Sequence, residues 1–180
     1  MQTIQLDNKT TEVLAALGIS PERAAQTGLP FHPEATELAL AEIGSDGFPH
    51  LMIPAAARAW QRMREAAGQD GVELYIVSAF RDLASQADIV RAKIERGMPL
   101  ATIFTLSAPP GYSEHHTGRA VDINTPGCEE REVPFEETAA FVWLTANAGR
   151  FGFVLSYPRG NDKGFAYEPW HWLFMEHQAR

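Results

Sequence analysis

Two short stretches of this chain carry residue types suited to holding a metal ion and activating water. The first, residues 111–124, places His115 and Asp122 seven positions apart with Gly118 between them. The second, residues 167–172, places Glu168 three positions before His171. Two imidazoles and one carboxylate suit a catalytic zinc that keeps its fourth position open. A glutamate outside that set can take a proton from water at the metal. The pattern points to zinc-assisted hydrolysis, with one Zn2+ per chain.

Each residue has a plainer alternative. Asp122 lies among apolar neighbours, where an unpaired carboxylate is costly, so a metal or a cation is expected beside it. Backbone N–H groups at a turn would also satisfy it, but the spacing Ser113-x-His115-x-x-Gly118-x-Ala120-x-Asp122 favours the metal. Gly118 permits a tight backbone turn between the two ligands. His116 competes with His115. Adjacent residues on extended backbone face opposite ways, which assigns His115 to the metal and His116 to a solvated rim. His171 sits between Trp170 and Trp172, with Glu168 oriented by the proline that follows it. His32, His50 and His177 lack such company and read as surface or packing residues. Amide hydrolysis also needs a cation for the developing oxyanion. Arg81 is the candidate, with a solvated arginine at a helix start as an equal alternative.

The elements that must position these residues follow from local pattern. Residues 55–67 are rich in helix formers and stop at glycines 68 and 71. Residues 72–77 alternate and include β-branched types, as a strand does. Asp82 caps a helix to about residue 96, and residues 101–112 read as a loop. Residues 119–124 form a second strand, and residues 136–148 an amphipathic helix. Residues 152–155 and 170–174 are the last two strands. Residues 1–50 read as a helical arm packed on the core, with helices at 10–17, after Ser20, and at 34–43. The catalytic domain would then span 51–180. The expected fold is α+β, a single domain with helices packed on a small, mainly antiparallel sheet and the zinc site at its face.

Composition excludes other classes. A net charge of −8 leaves no basic stripe for nucleic acid. No apolar run approaches a membrane span, and residues 1–7 lack the features of a secretory leader. The expected compartment is the cytoplasm, or the cell envelope if a leader precedes this sequence. A single cysteine, Cys128, excludes an internal disulfide framework. A monomer is expected. Ser113 stands in no Gly-x-Ser-x-Gly elbow, which argues against nucleophilic catalysis.

These segments resemble the zinc D-alanyl-D-alanine carboxypeptidases of the VanY type, within the LAS metallopeptidases. That group carries Ser-x-His-x-x-Gly-x-Ala-x-Asp followed by Glu-x-x-His, matched here by Ser113, His115, Gly118, Ala120, Asp122, Glu168 and His171. Its Ser-x-x-Arg-x-x-x-x-Gln element is matched by Ser78, Arg81 and Gln86, and its Gly-Phe-x-x-x-Tyr-Pro stretch by Gly152, Phe153, Tyr157 and Pro158. The likeness runs from about residue 54 to 174. It implies zinc ligation by His115, Asp122 and His171, and Glu168 as the catalytic base. It also implies substrate binding by Arg81, Gln86 and Ser113, and a peptidoglycan stem peptide losing its terminal D-alanine. His116 replaces a frequent glutamine, and Ser156 a common arginine. Alternatives within the group are an endopeptidase and an L,D-carboxypeptidase; outside it, a zinc-retaining binding module without activity.

Overall fold

A computed structural model describes residues 6–176. His177 and residues 1–5, on which the expected absence of leader features in part rests, lie outside them.

Asp7 and Ser20 cap two short helices, α1 (Asn8–Ala16) and α2 (Pro21–Ala25), each accepting a backbone N–H of the first turn. Residues 34–43, expected as a helix, instead run into strand β1 (Ala39–Ile43), paired antiparallel with β2 (Pro49–Met52). The run Gly44-Ser45-Asp46-Gly47 turns a tight hairpin there. Pairing and burial of Ala41 and Glu42 then override a helical propensity that is weak by comparison.

Helix α3 (Pro54–Gln69) starts on a proline at its first position and buries Ala56, Ala59, Trp60 and Met63 along one face. Strand β3 (Tyr75–Ser78) leads to α4 (Leu83–Glu95), capped by Asp82. The expected loop over 101–112 begins instead as helix α5 (Leu100–Leu106), because Ile103 and Phe104 have an apolar surface to cover. Strand β4 (Ala120–Asn124), helix α6 (Ala139–Asn147), and strands β5 (Phe153–Leu155) and β6 (His171–Phe174) complete the chain. The main sheet has the order β3-β4-β6-β5, antiparallel throughout. The fold is α+β, as expected.

Two apolar clusters form. The larger packs α3 and α6 on the sheet through Trp60, Met63, Val121, Ile123, Leu144 and Phe153. The smaller joins α1 and α2 to α4 and α5 through Leu14, Ile19, Leu29, Val90, Ile103 and Tyr112. No helix among the described residues is long and apolar enough to cross a membrane.

Candidate metal centre

The sheet register brings the separated motifs together. On the central strand β4, Asp122 pairs with His171 of β6 on one side and with Ser78 of β3 on the other. Facing residues in such a pair have Cβ atoms about 5 Å apart, so both side chains reach one point. His115 arrives from the 3-10 turn Glu114–Thr117, which ends at Gly118 in the left-handed region, φ +63°. A Cβ at Gly118 would also lie 3.1 Å from the backbone nitrogen of Ile53, so glycine is required there on two counts. Main-chain bonds stitch this loop to distant segments. Gly111 O accepts from His32 N, His116 O from Ala35 N, Gly118 O from Ile53 N, and His115 O from Arg81 N.

His115, Asp122 and His171 are buried, and each offers a ligand atom within 4.8 Å of the others. His115 Nδ1–H donates to the carbonyl of Ala79 at 2.6 Å; a carbonyl can only accept, so the proton sits on Nδ1. Its Nε2 lone pair therefore faces Asp122 Oδ1 at 3.3 Å. Burial lowers the pKa of this imidazole and keeps it neutral. A lone pair aimed at a carboxylate needs a cation between them, so the donor set fits a divalent metal.

His171 Nδ1 lies 3.0 Å from Asp122 Oδ1, and its Nε2 lies 3.0 Å from Glu114 Oε2. Burial alone would lower the His171 pKa, but the bonds to Asp122 and Glu114 outweigh it and hold the ring charged, at about 10. Were Nδ1 to hold a metal, it would give up that proton, and Nε2–H would stay with Glu114. Glu114 is 4% exposed, and its second oxygen accepts from Lys163 Nζ at 3.0 Å. The Lys163–Glu114–His171 chain thus fixes the ring from behind. The sequence reading missed both Glu114 and Lys163. Glu114 lies inside the recognised motif, but only the 3-10 turn swings it to the same side as its neighbour.

Glu168 Oε2 sits 3.9 Å from His171 Nδ1, close to the group without belonging to it. Burial raises its pKa to about 7, against the pull of nearby His171. Arg81 donates to Gln86 Oε1 and Ser78 Oγ, both at 2.8 Å, neutral partners that aim the guanidinium without discharging it. Gln86 is 1% exposed and spends its amide on Ala108 O. Ser113 Oγ accepts from the backbone of His115. His116 corrects the expectation of a solvated rim: it is 0% exposed. Its Nδ1–H donates to Arg81 O at 2.6 Å and its Nε2 accepts from Gly111 N–H at 3.1 Å. In the 3-10 turn neighbouring side chains do not simply oppose one another across a strand, and the ring fills the space between two chain segments. His115, Asp122, His171, Glu168, Arg81 and Ser113 line a cavity of 720 Å³.

A buried His115–Asp122–His171 group that could hold a metal, at the face of an antiparallel sheet with a carboxylate and an arginine near it, fits a class of metallopeptidase sites. Comparison with known proteins agrees: residues 49–177 match the family profile VanY, D-alanyl-D-alanine carboxypeptidase. The chain belongs to this family. The putative carboxypeptidase YodJ of Bacillus subtilis (strain 168) is 36% identical over 132 residues, 69% of this chain and 46% of that relative. The chain thus spans about half the length of that curated relative. Among solved structures, the LdcB LD-carboxypeptidase superposes with a TM-score of 0.71 at 29% identity, covering 81% of this chain and 71% of the other. A mutant of the vancomycin resistance D,D-pentapeptidase VanY in complex with Zn(II) gives 0.63 at 31% identity, covering 81% and 82%.

Proposed function

We propose that this chain is a zinc-dependent D-alanyl-D-alanine carboxypeptidase that removes the terminal D-alanine from peptidoglycan stem peptides or their precursors, at the cell envelope. The observation that carries this reading is the buried group itself, in which His115 Nε2 and Asp122 Oδ1 face each other at 3.3 Å beside His171. Membership of the VanY family supports it, as does the zinc in the VanY structural neighbour.

In this reading His115 Nε2, an Asp122 oxygen and His171 Nδ1 hold one Zn2+. Zinc there supplies a Lewis acid that polarises the scissile carbonyl and makes water acidic. Glu168, with a pKa raised to about 7 by burial, takes a proton from the attacking water. The same carboxyl then gives the proton to the departing amine of D-alanine. Arg81, held by Ser78 and Gln86, presents its charge to the carbonyl oxygen or the terminal carboxylate. Gln86 acts on the peptide through Arg81, since its own polar atoms are engaged. Ser113 fixes the backbone of His115 and lines the cavity the peptide enters. One chain supplies every group, so a monomer suffices. The domain boundary near residue 50 belongs to the same proposal.

Mass spectrometry of products from stem tetrapeptide and pentapeptide, with and without a chelator, tests this. Free D-alanine from the pentapeptide, lost on chelation, is the expected result. Release from the tetrapeptide alone would make the enzyme an L,D-carboxypeptidase, as the LdcB neighbour is described, and internal cuts an endopeptidase. Stoichiometric zinc without any product would leave a binding module.

A further inference from the structure

Two neighbouring imidazoles grip the segment that carries Arg81, and only one of them belongs to the metal group. Residues 79–81 lie between β3 and α4, outside any helix or strand, so their path depends on bonds from elsewhere. Three of those bonds come from the motif loop. His115 Nδ1–H donates to Ala79 O, His115 O accepts from Arg81 N at 3.2 Å, and His116 Nδ1–H donates to Arg81 O at 2.6 Å. A fourth, from Phe80 N to Leu51 O, ties the segment to β2.

The state of the second ring follows from its partners. A carbonyl only accepts and a backbone N–H only donates, so Gly111 N–H at Nε2 leaves the proton on Nδ1. Burial lowers the pKa of His116 to about 4, which keeps the ring neutral in this tautomer. Its main chain is held as well, since His116 O accepts from Ala35 N. Gly111 is hemmed in on the far side: a Cβ there would meet Thr10 at 2.6 Å and Phe31 at 3.2 Å. His116 is fully buried and does not line the cavity, whereas Arg81 does. It therefore cannot touch a substrate, and any effect on one must pass through the group it holds.

We propose that His116 is the positioning residue for Arg81: its Nδ1–H bond sets the arginine's main chain, and thereby the place where the guanidinium meets the substrate. This rests on the role given to Arg81 in the carboxypeptidase reading. The bonds to Ser78 and Gln86 aim the tip of a long, flexible side chain but leave its root to the backbone. Misplacing a substrate-binding group by about 1 Å is enough to cost about 100-fold in rate.

A double-mutant cycle on the zinc-loaded protein tests this, with D-alanine released from stem pentapeptide as the readout. His116→Leu should lower kcat/KM by about 10- to 100-fold while zinc content stays that of the parent. In an Arg81→Ala background the same change should cost less than about twofold, because the group it acts through is gone. His116→Asn, whose amide nitrogen can stand where Nδ1 does, should recover most of the loss without the Gly111 bond. The NMR signals of the Arg81 guanidinium give a readout that needs no turnover. Nη1 and Nη2 have different partners, so they should be separate in the parent and in His116→Asn and merge in His116→Leu. Equal losses from His116→Leu with and without Arg81, or Arg81 signals unchanged by it, would overturn the proposal. If Arg81→Ala costs nothing, or the parent hydrolyses no peptide, the carboxypeptidase reading is what fails, and the guanidinium signals decide for His116. Should His116→Leu lose its melting transition, His116→Phe, which keeps a ring in that space, replaces it.

Discussion

The molecule has two apolar clusters, and they serve the site differently. The larger one, under the main sheet, carries Asp122 and His171 on strands whose alternate residues, Val121 and Trp172, are locked into it. The smaller one lies beneath α4, with Val90 of that helix packed in the same cluster as Leu14 and Ile19 from the first 25 residues. One cluster therefore fixes the candidate metal ligands Asp122 and His171, while the other supports the α4 wall of the cavity. His116 spans the seam, bonded to Gly111 on one side and Arg81 on the other. Ligand geometry and substrate geometry are thus supported by different parts of the chain and should be separable by mutation.

The largest expected effect is on the sheet side. Asp122→Ala should abolish stoichiometric zinc binding, measured by metal analysis after dialysis, since it removes one of the three proposed ligands. Next, Glu168→Gln should keep zinc but lower kcat by about 10² to 10⁴, as removal of a general base does. Retained turnover would break the assignment of the base. Glu114→Gln should weaken zinc affinity by about 10- to 100-fold in a chelator competition, the range for partners that orient a ligand. Glu114 is the sharper test, because it asks whether the ring must be held from behind. At the seam, His116→Ala should cost about 3 kcal/mol in denaturant unfolding, through two buried bonds and the polar groups left unpaired. His115 and the rest of the ligand set should still bind zinc. Smallest at the metal is Leu14→Ala. It should cost about 2 to 5 kcal/mol of stability and raise KM, while zinc affinity stays that of the parent. If it weakened zinc as much as Glu114→Gln does, the two regions would not be separable.

Much of the site was legible because its chemistry resides in side chains at fixed intervals. Type and spacing single out His115, Asp122, His171 and Glu168, which the structure brings close together, and alternation points to the strands that carry Asp122 and His171. Less visible was what depends on backbone path. The rule for extended chain puts His116 at a rim, whereas a 3-10 turn buries it. The same turn hides the role of Glu114 from residue spacing. Residues 39–43 looked helical because Leu, Ala and Glu favour helices locally. Their pairing with β2 and packing on α3 are non-local and decide the outcome.

The stitching of residues 111–118 by amide groups of His32, Ala35, Ile53 and Arg81 has a further consequence. Every amino acid except proline supplies that donor. A clamp of this sort tolerates almost any swap of side chain at its anchor points and leaves no signature in a comparison of residue types. Where serine substitutions at positions 32 and 35 would pass quietly, a proline scan would register the clamp at once.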